Sequence, residues 1–244
     1  MNITASIQAR MGSNRLPGKV LKNICGKPML QWQIERIRRS RLIDRIIVAT
    51  TDNPLDNEIV KFCEDNNVEY YRGSENDVLG RIAGLIRESE IEIHAEFYGD
   101  SPLVDVHLLD EYIGYYLKYS NLFDYLSNSI KTTYPPGMEI NIYSGQVLMK
   151  TDSLVAADDP MREHVAFNIT RFPEHFRLCA LEAQSWYFGS EIYLEVDSPQ
   201  DLIFIEKIID YFTSKNQDYF SLLSREWTGG KLGIMNTGEG CVGC

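Results

Sequence analysis

Cysteine is sparse in this 244-residue chain: five residues, at 25, 63, 179, 241 and 244, scattered and odd in number. That argues against a secreted disulfide framework and for a reducing compartment, so the expected location is the cytoplasm. Only Cys241 and Cys244 form a C-x-x-C, which lacks the second pair of ligands that a tetrahedral zinc site needs. No two of the four histidines have zinc-site spacing, and His94, His107 and His175 read as structural or exposed. No apolar run approaches a membrane span, and Met1-Asn2-Ile3-Thr4 enters a strand with no basic or apolar leader, so no membrane partner is expected. A dinucleotide oxidoreductase is disfavoured too, because no G-x-G-x-x-G follows any strand-like run.

Positive charge is also scarce, but unevenly so. The net charge is −11. Residues 1 to 45 nevertheless hold ten Lys and Arg against Glu35 and Asp44, a balance of +8, and the remainder holds 14 bases and 33 acids, a balance of −19. Such segregation suits a small anionic ligand at one end of the molecule, while the acidic remainder would repel a long polyanion; no nucleic-acid partner is expected. Arg36, Arg38, Arg39 and Arg41 read as the solvated face and C-terminus of a helix, where cations are favoured.

The 44% hydrophobic content is that of an ordinary globular chain with a substantial core. Strand-like runs at 2 to 8, 45 to 51, 68 to 72 and 93 to 98 alternate with helix-like segments near 28 to 40, 56 to 66, 77 to 89 and 105 to 118. That alternation predicts a parallel sheet with helices on both faces. Pro28 fits a first helical position, and Asp56 and Asp77 fit N-caps or first-turn acids. Beyond 124 the pattern predicts strands at 124 to 128, 138 to 143, 176 to 182 and 191 to 196, and helices near 144 to 156, 160 to 171 and 198 to 212. No linker divides the chain. A single domain over 1 to 228 is expected, with a nucleotide-binding half (1 to 123) and an acceptor-side half (124 to 228), then a Gly-rich flexible tail over 229 to 244.

Residues 8 to 19, Gln-Ala-Arg-Met-Gly-Ser-Asn-Arg-Leu-Pro-Gly-Lys, follow the first strand directly. Gly12, Ser13 and Gly18 allow close backbone approach to a ligand, and Arg10, Arg15 and Lys19 can offset the charge of a triphosphate. A Walker loop is not what this is: five residues separate Gly12 from Gly18, Pro17 interrupts them, and Val20 follows Lys19. Thr51-Asp52, Arg72-Gly73-Ser74 and Gly99-Asp100-Ser101-Pro102 likewise fall at strand ends, where a doubly wound sheet binds its ligand. Asp100 and Asp197, each at a strand exit, are placed to converge on one Mg²⁺, which favours oxygen ligands and keeps phosphate oxygens and waters. Asp197 also fits an N-cap for the helix that follows.

The string IQARMGSNRLPGKVL with GKPML at 26 to 30 resembles the N-terminus of the cytidylyltransferases that make CMP-activated acidic sugars, nearest the branch of spore-coat polysaccharide biosynthesis protein F. The likeness continues through VATTDNPLD, RGSENDVLGR, GDSPLVD, REHV and EVDSPQDL, up to about residue 213. It implies a Rossmann-like, glycosyltransferase-A-like nucleotidyltransferase fold built on a mainly parallel mixed sheet. It also implies transfer of CMP from CTP to an acidic 2-keto sugar, with Asp100 and Asp197 as the Mg²⁺ ligands.

An acceptor hydroxyl would attack the α-phosphorus while cations offset charge on the leaving pyrophosphate. Arg10 and Lys19 are the candidates for that work, with Arg15 on the β and γ phosphates. Gln8 and Ala9 are placed to read the pyrimidine edge, although Gln8 equally fits strand-end hydrogen bonding. Met11, Gly12, Ser13 and Arg72 complete the expected nucleotide loop set. Arg81 matches a family arginine in the nucleotide-binding segment, while an Asp77 to Arg81 pair at i,i+4 would explain both residues without a ligand. For the acceptor the candidates are Arg162, Glu163 and His164, and Glu139 in the 134 to 139 turn; a solvated helix start after Pro160 is the alternative. Phe97-Tyr98 and Met138-Glu139-Ile140 depart from the better-characterised relatives, so the particular acid does not carry over. The expected partners are CTP, a small acidic sugar, and a second copy of the chain in a homodimer. A sugar phosphate or phosphonate acceptor, or a CTP-binding subunit without turnover, are the competing readings.

Overall fold

Alternation of Ile3, Ala5 and Ile7 with Thr4, Ser6 and Gln8 makes β1 (Ile3–Gln8) a strand with two chemically different faces. In the computed structural model, which describes residues 2–131, 133–183 and 192–214, β1 is an interior strand of a seven-stranded sheet. A short antiparallel pair, β2 (Asn23–Ile24) and β3 (Lys27–Pro28), leads into α1 (Met29–Ile37). Then come β4 (Arg45–Thr51), α2 (Asn57–Asp65), β5 (Glu69–Gly73), α3 (Val78–Glu88), β6 (Ile93–Tyr98) and α4 (Val106–Tyr119). The second half holds β7 (Tyr125–Ser127), β8 (Asn141–Ser144), α5 (Gly145–Leu154), α6 (Ala166–Thr170), β9 (Leu178–Ala180) and α7 (Pro199–Ser214).

The strand order is β5-β4-β1-β6-β8-β7-β9. β5, β4, β1 and β6 are parallel, β8 runs antiparallel to both its neighbours, and β7 and β9 are parallel. The chain steps outward from β1 to β5 and then returns to the other side of β1 at β6, so the switch point is the β1/β6 crevice. Right-handed crossovers then require the outgoing helices on one face and the returning helix on the other. Buried side chains of α1, α2, α4 and α7 accordingly join Ile3, Ala5, Ile7 and Phe97 in one core, and those of α3, α5 and α6 join Ile47, Ala49, Tyr125 and Tyr143 in a second.

Several local expectations are corrected. Arg36 does not lie on a solvated face: it is fully buried, with Nε donating to the Val104 carbonyl at 2.7 Å, because it falls on the apolar face of α1 with Trp32 and Gln33. Pro28 sits one residue before the helix, with ψ 145. The strand expected from 138 begins only at Asn141, since the Asn128 side chain takes over the backbone partners: its Nδ2 donates to Met138 O and its Oδ1 accepts from Ile140 N. The helix expected over 160 to 171 is interrupted: a 3-10 turn over Pro160–Glu163 ends at extended His164 (φ −112, ψ 138) before α6. Residues 192–196 form no ladder; Leu194 N and Val196 N each donate once, to Pro136 O and Asp100 O. The 229 to 244 tail, with Cys241 and Cys244, lies outside the described residues, as does Glu191.

Candidate active site

The loop after β1 is built by its own backbone. Ala9 N continues the β1–β4 ladder onto Ala49 O at 3.1 Å, and Met11 O then accepts from Ser13 N (2.9 Å) and Gly18 N (3.0 Å). Gly18 adopts φ 67, where a Cβ would be strained and would also lie 3.1 Å from Met11 Cε. Ser13 Oγ accepts from Leu16 N at 3.3 Å. The ring is fixed to the sheet through Asp56, which caps no helix. Its Oδ1 accepts from Met11 N at 2.7 Å, and its Oδ2 accepts from Thr51 N and Thr51 Oγ1. A buried carboxylate needs such donors, and this one uses them to join the first and second strand ends.

Lys19 is the centre of the charge arrangement. Its Nζ lies 3.0 Å from Asp100 Oδ2 and 2.9 Å from Asp197 Oδ1, so one ammonium bridges the two aspartates. Arg15 Nη2 reaches Asp197 Oδ2 at 2.8 Å from a side chain that is 71% exposed. Asp197 does not cap α7. That work falls to a reciprocal box, in which Ser198 Oγ accepts from Asp201 N (3.3 Å) and Asp201 Oδ2 accepts from Ser198 N (2.8 Å). The Asp197 carboxylate is thereby left for the cations.

Arg10 is exposed and has no side-chain partner among the described residues. Nearby Arg81 is buried; its Nη1 donates to Ser74 O at 2.6 Å and its Nε has no partner. Burial, and then the Arg10 charge, hold the Arg81 pKa below its ordinary value. Asp56, Asp77 and Glu75 offset part of that effect.

Opposite them the site is acidic. Val196 N donates to Asp100 O and Leu194 N to Pro136 O, both at 2.8 Å, which seats the 192–198 segment between the β6 exit and the 134–139 turn. Gly137 permits this: at φ +94, an added Cβ would sit 2.5 Å from Leu194 C. Burial, followed by the neighbouring Asp100, raises the Glu139 pKa, and Gly137 N donates to its Oε2. Burial, then Glu139, Asp100 and Asp197, push Glu195 up to about 7.

A cationic loop and paired aspartates thus meet at the switch point of a mainly parallel sheet. The pattern of the cytidylyltransferase family matches residues 4–221. The chain belongs to that family. Spore coat polysaccharide biosynthesis protein SpsF of Bacillus subtilis is 30% identical over 199 residues, 80% of this chain and 81% of that protein. The 3-deoxy-manno-octulosonate cytidylyltransferase of Geobacter sulfurreducens is 38% identical over 113 residues, 46% of this chain and 44% of its own length. Among solved structures, a cytidylyltransferase from Leptospira borgpetersenii superposes with a TM-score of 0.82 at 30% identity, covering 90% of this chain and 91% of that one.

Within this cytidylyltransferase the expected site residues fall into two groups. Gln8, Ala9, Arg10, Met11, Gly12, Ser13, Arg15 and Lys19 share the loop at the β1 exit, and Asp100, Glu139 and Asp197 meet across from it. Arg72 and Arg162 instead have their donors engaged by the protein. Arg72 donates to Thr51 O, Asn57 Oδ1 and Asn53 O, bracing the turn after β4. Arg162 is buried and forks onto both Asp77 oxygens (2.9 and 3.0 Å), with further bonds to Asp152 Oδ1 and Val155 O. It therefore ties α5 to the start of α3 and is not brought to the acidic cluster. The Asp77 to Arg81 pair does not form, since Asp77 serves Arg162 and caps α3 through Gly80 N. His164 is half exposed beside Glu163 (3.4 Å). Asp56 and Glu195, not singled out as site residues from sequence, were signalled only by lying at strand ends or beside the aspartate motif.

Among the described residues no helix is long and apolar enough to cross a membrane, and no cluster of three or more His, Cys, Asp or Glu forms a ready-made metal cage.

Proposed function

We propose that this cytidylyltransferase transfers CMP from CTP to the anomeric hydroxyl of an acidic 2-keto sugar for surface polysaccharide or glycoconjugate synthesis, acting in the cytoplasm as a homodimer. The observation that carries the reading is Lys19 bridging Asp100 and Asp197 at the loop that also holds Arg10. The acceptor hydroxyl gives up its proton to solvent as its oxygen bonds to the α-phosphorus, the bond to the bridging oxygen breaks, and pyrophosphate leaves with that electron pair. Lys19 and Arg10 meet charge growing on the α-phosphoryl and bridging oxygens, and Arg81 adds its field at the β and γ phosphates. Asp100 and Asp197 are a donor set that suits Mg²⁺, which takes one or two carboxylates plus phosphate oxygens. When bound there it would neutralise phosphate charge.

Glu139 and Glu195, half-buried carboxyls of raised pKa, are suited to hydrogen-bond sugar hydroxyls. Arg162 is engaged by Asp77 and Asp152, and the exposed Arg15 is the cation we assign to the acceptor's own carboxylate. The names of the polysaccharide and 3-deoxy-manno-octulosonate relatives support the acidic-sugar class. The test is pyrophosphate release from each nucleoside triphosphate with Mg²⁺ against 2-keto acids, sugar phosphates and phosphonates. Release with CTP and a 2-keto acid is expected. Turnover confined to phosphate or phosphonate acceptors would replace the acceptor class, and CTP binding without release under any condition would leave a binding subunit.

A further inference from the structure

On the sheet face covered by α3, α5 and α6, polar side chains occupy positions that strand alternation alone would give to solvent. Ser6 and Gln8 of β1 lie in register with Glu96 and Tyr98 of β6, and Asn141 of β8 is in register with Glu96. Glu96 is fully buried in the middle of this layer. Its Oε1 accepts from Gln8 Nε2 at 2.7 Å and its Oε2 from the Tyr143 hydroxyl at 2.7 Å, and the Tyr98 hydroxyl and Ala166 N–H are also donors to it. Gln8 stands at the mouth of the switch-point crevice, where Gly99 N donates to its carbonyl at 2.8 Å. A Cβ on Gly99 would press 2.8 Å from that same oxygen.

We propose that Glu96 is a positioning residue: it holds the Gln8 amide with its nitrogen inward and its Oε1 toward the nucleobase, and thereby sets the preference for cytosine over uracil. This rests on the reading that Gln8 faces the base. An ionised carboxylate only accepts, so every group around it must donate, and the Gln8 amide is left with one orientation. Gln8 Oε1 has no partner among the described residues. Cytosine offers a 4-amino donor to such an oxygen, whereas uracil offers O4, a second acceptor. A site built around one hydrogen bond rejects an analogue that leaves its polar atom unpaired more strongly than an apolar pocket rejects a misfit. Neither strand end alone achieves this, because a glutamine beside a neutral neighbour is free to turn over.

The test is calorimetric binding of CTP and UTP with Mg²⁺, which needs no acceptor, at pH 8, where Glu96 with a pKa pushed by burial to about 7 is mostly ionised. The readout is the ratio of the two dissociation constants. In the wild type CTP should bind more tightly; Gln8→Ala should reduce the ratio at least about tenfold, the scale of one lost discriminating hydrogen bond. Glu96→Gln, which offers Gln8 a donor and lets its amide invert, should reduce the ratio comparably. The exchanged variant Gln8→Glu with Glu96→Gln returns an acceptor oxygen to the mouth and should restore it.

If Gln8→Ala leaves the ratio unchanged, Gln8 does not read the base and the proposal falls with that reading. If Gln8→Ala collapses the ratio while Glu96→Gln does not, base reading stands and positioning by Glu96 is overturned. Equal weakening of CTP and UTP in Glu96→Gln would mark a purely structural role. Should Glu96→Gln fail to fold, the exchanged variant decides: it has the same donors and acceptors in the pair, and loss of its CTP preference would refute the idea.

Discussion

Burying Glu96 has a consequence for stability that can be measured without any substrate. Burial raises its pKa from 4.5 to about 7, outweighing the lowering by its hydrogen bonds to Tyr143, Tyr98, Ala166 N–H and Gln8. Two residues earlier, burial alone drives His94 down from 6.5 to about 3. For Glu96 the folded protein holds a proton that the unfolded chain gives up above pH 4.5, so its contribution is fully present below 4.5 and is lost as pH rises to about 7. For His94 the unfolded chain binds a proton that the folded protein refuses, so its contribution is lost as pH falls from 6.5 toward 3. Between pH 4.5 and 6.5 unfolding releases one proton and takes up another, and these two groups together leave stability flat.

Glu96→Gln removes one side of that cancellation. At about 1.4 kcal/mol per pKa unit, the Glu96 contribution lost between pH 4.5 and pH 7.5 is on the order of 3 kcal/mol. All other titrating groups are common to both proteins and drop out of the difference to first order. Urea denaturation of wild type and variant at pH 4.5, 5.5, 6.5 and 7.5, with m-values checked for constancy, gives that difference directly. The variant should gain on the wild type steadily across the range, by about 3 kcal/mol in all. Parallel stability curves would mean that Glu96 keeps its ordinary pKa of 4.5 in the folded protein, ionised throughout this range, and that burial does not raise it.

Lys19→Ala and Arg10→Ala should each lower turnover by about 10² to 10³ with melting temperature nearly unchanged, the scale of one lost transition-state contact, as read by pyrophosphate release. Asp197→Asn should abolish metal-dependent turnover at little cost in stability, whereas Ser198→Ala should lower stability by about 1 kcal/mol in denaturant titration, because the α7 cap belongs to Ser198. Arg162→Ala leaves the Asp77 and Asp152 carboxylates without their fork and should cost about 2 kcal/mol, discounted for their partial exposure, while CTP affinity measured by calorimetry stays close to wild type.

The parallel half of the fold was legible because its signals are long and mutually consistent. Strands of six and seven residues, alternating in β1 and β6 and continuously apolar through the centre of β4, each followed by a polar loop and a helical period, leave little freedom for another topology. The second half was harder to read for a specific reason: its strands are three or four residues long, and side chains such as Asn128 replace part of the ladder. The loop at 8 to 19 was readable from its glycines and cations alone. Arg162 was not, since an arginine after a proline-led turn looks the same whether its fork meets a ligand or, as here, Asp77 from a helix 85 positions away.

The polar layer beneath α3, α5 and α6 shows where pattern reading meets its limit. Thr4, Ser6 and Gln8 on β1, and His94 and Glu96 on β6, alternate with apolar residues just as they would on a sheet with one wet face. In a doubly wound sheet that second face is covered, so each of these groups must find a partner within the protein or remain costly. Ser6 meets His94 Nε2 at 2.8 Å, Glu96 meets four donors, and Asn141 Oδ1 gathers the hydroxyls of Tyr125, Ser127 and Ser129. His94 Nδ1 is left without a partner deep in the layer, and at its open end Gln8 Oε1 has none among the described residues. A polar layer buried along its length and open at the switch point holds its outermost amide in one orientation, as base discrimination requires.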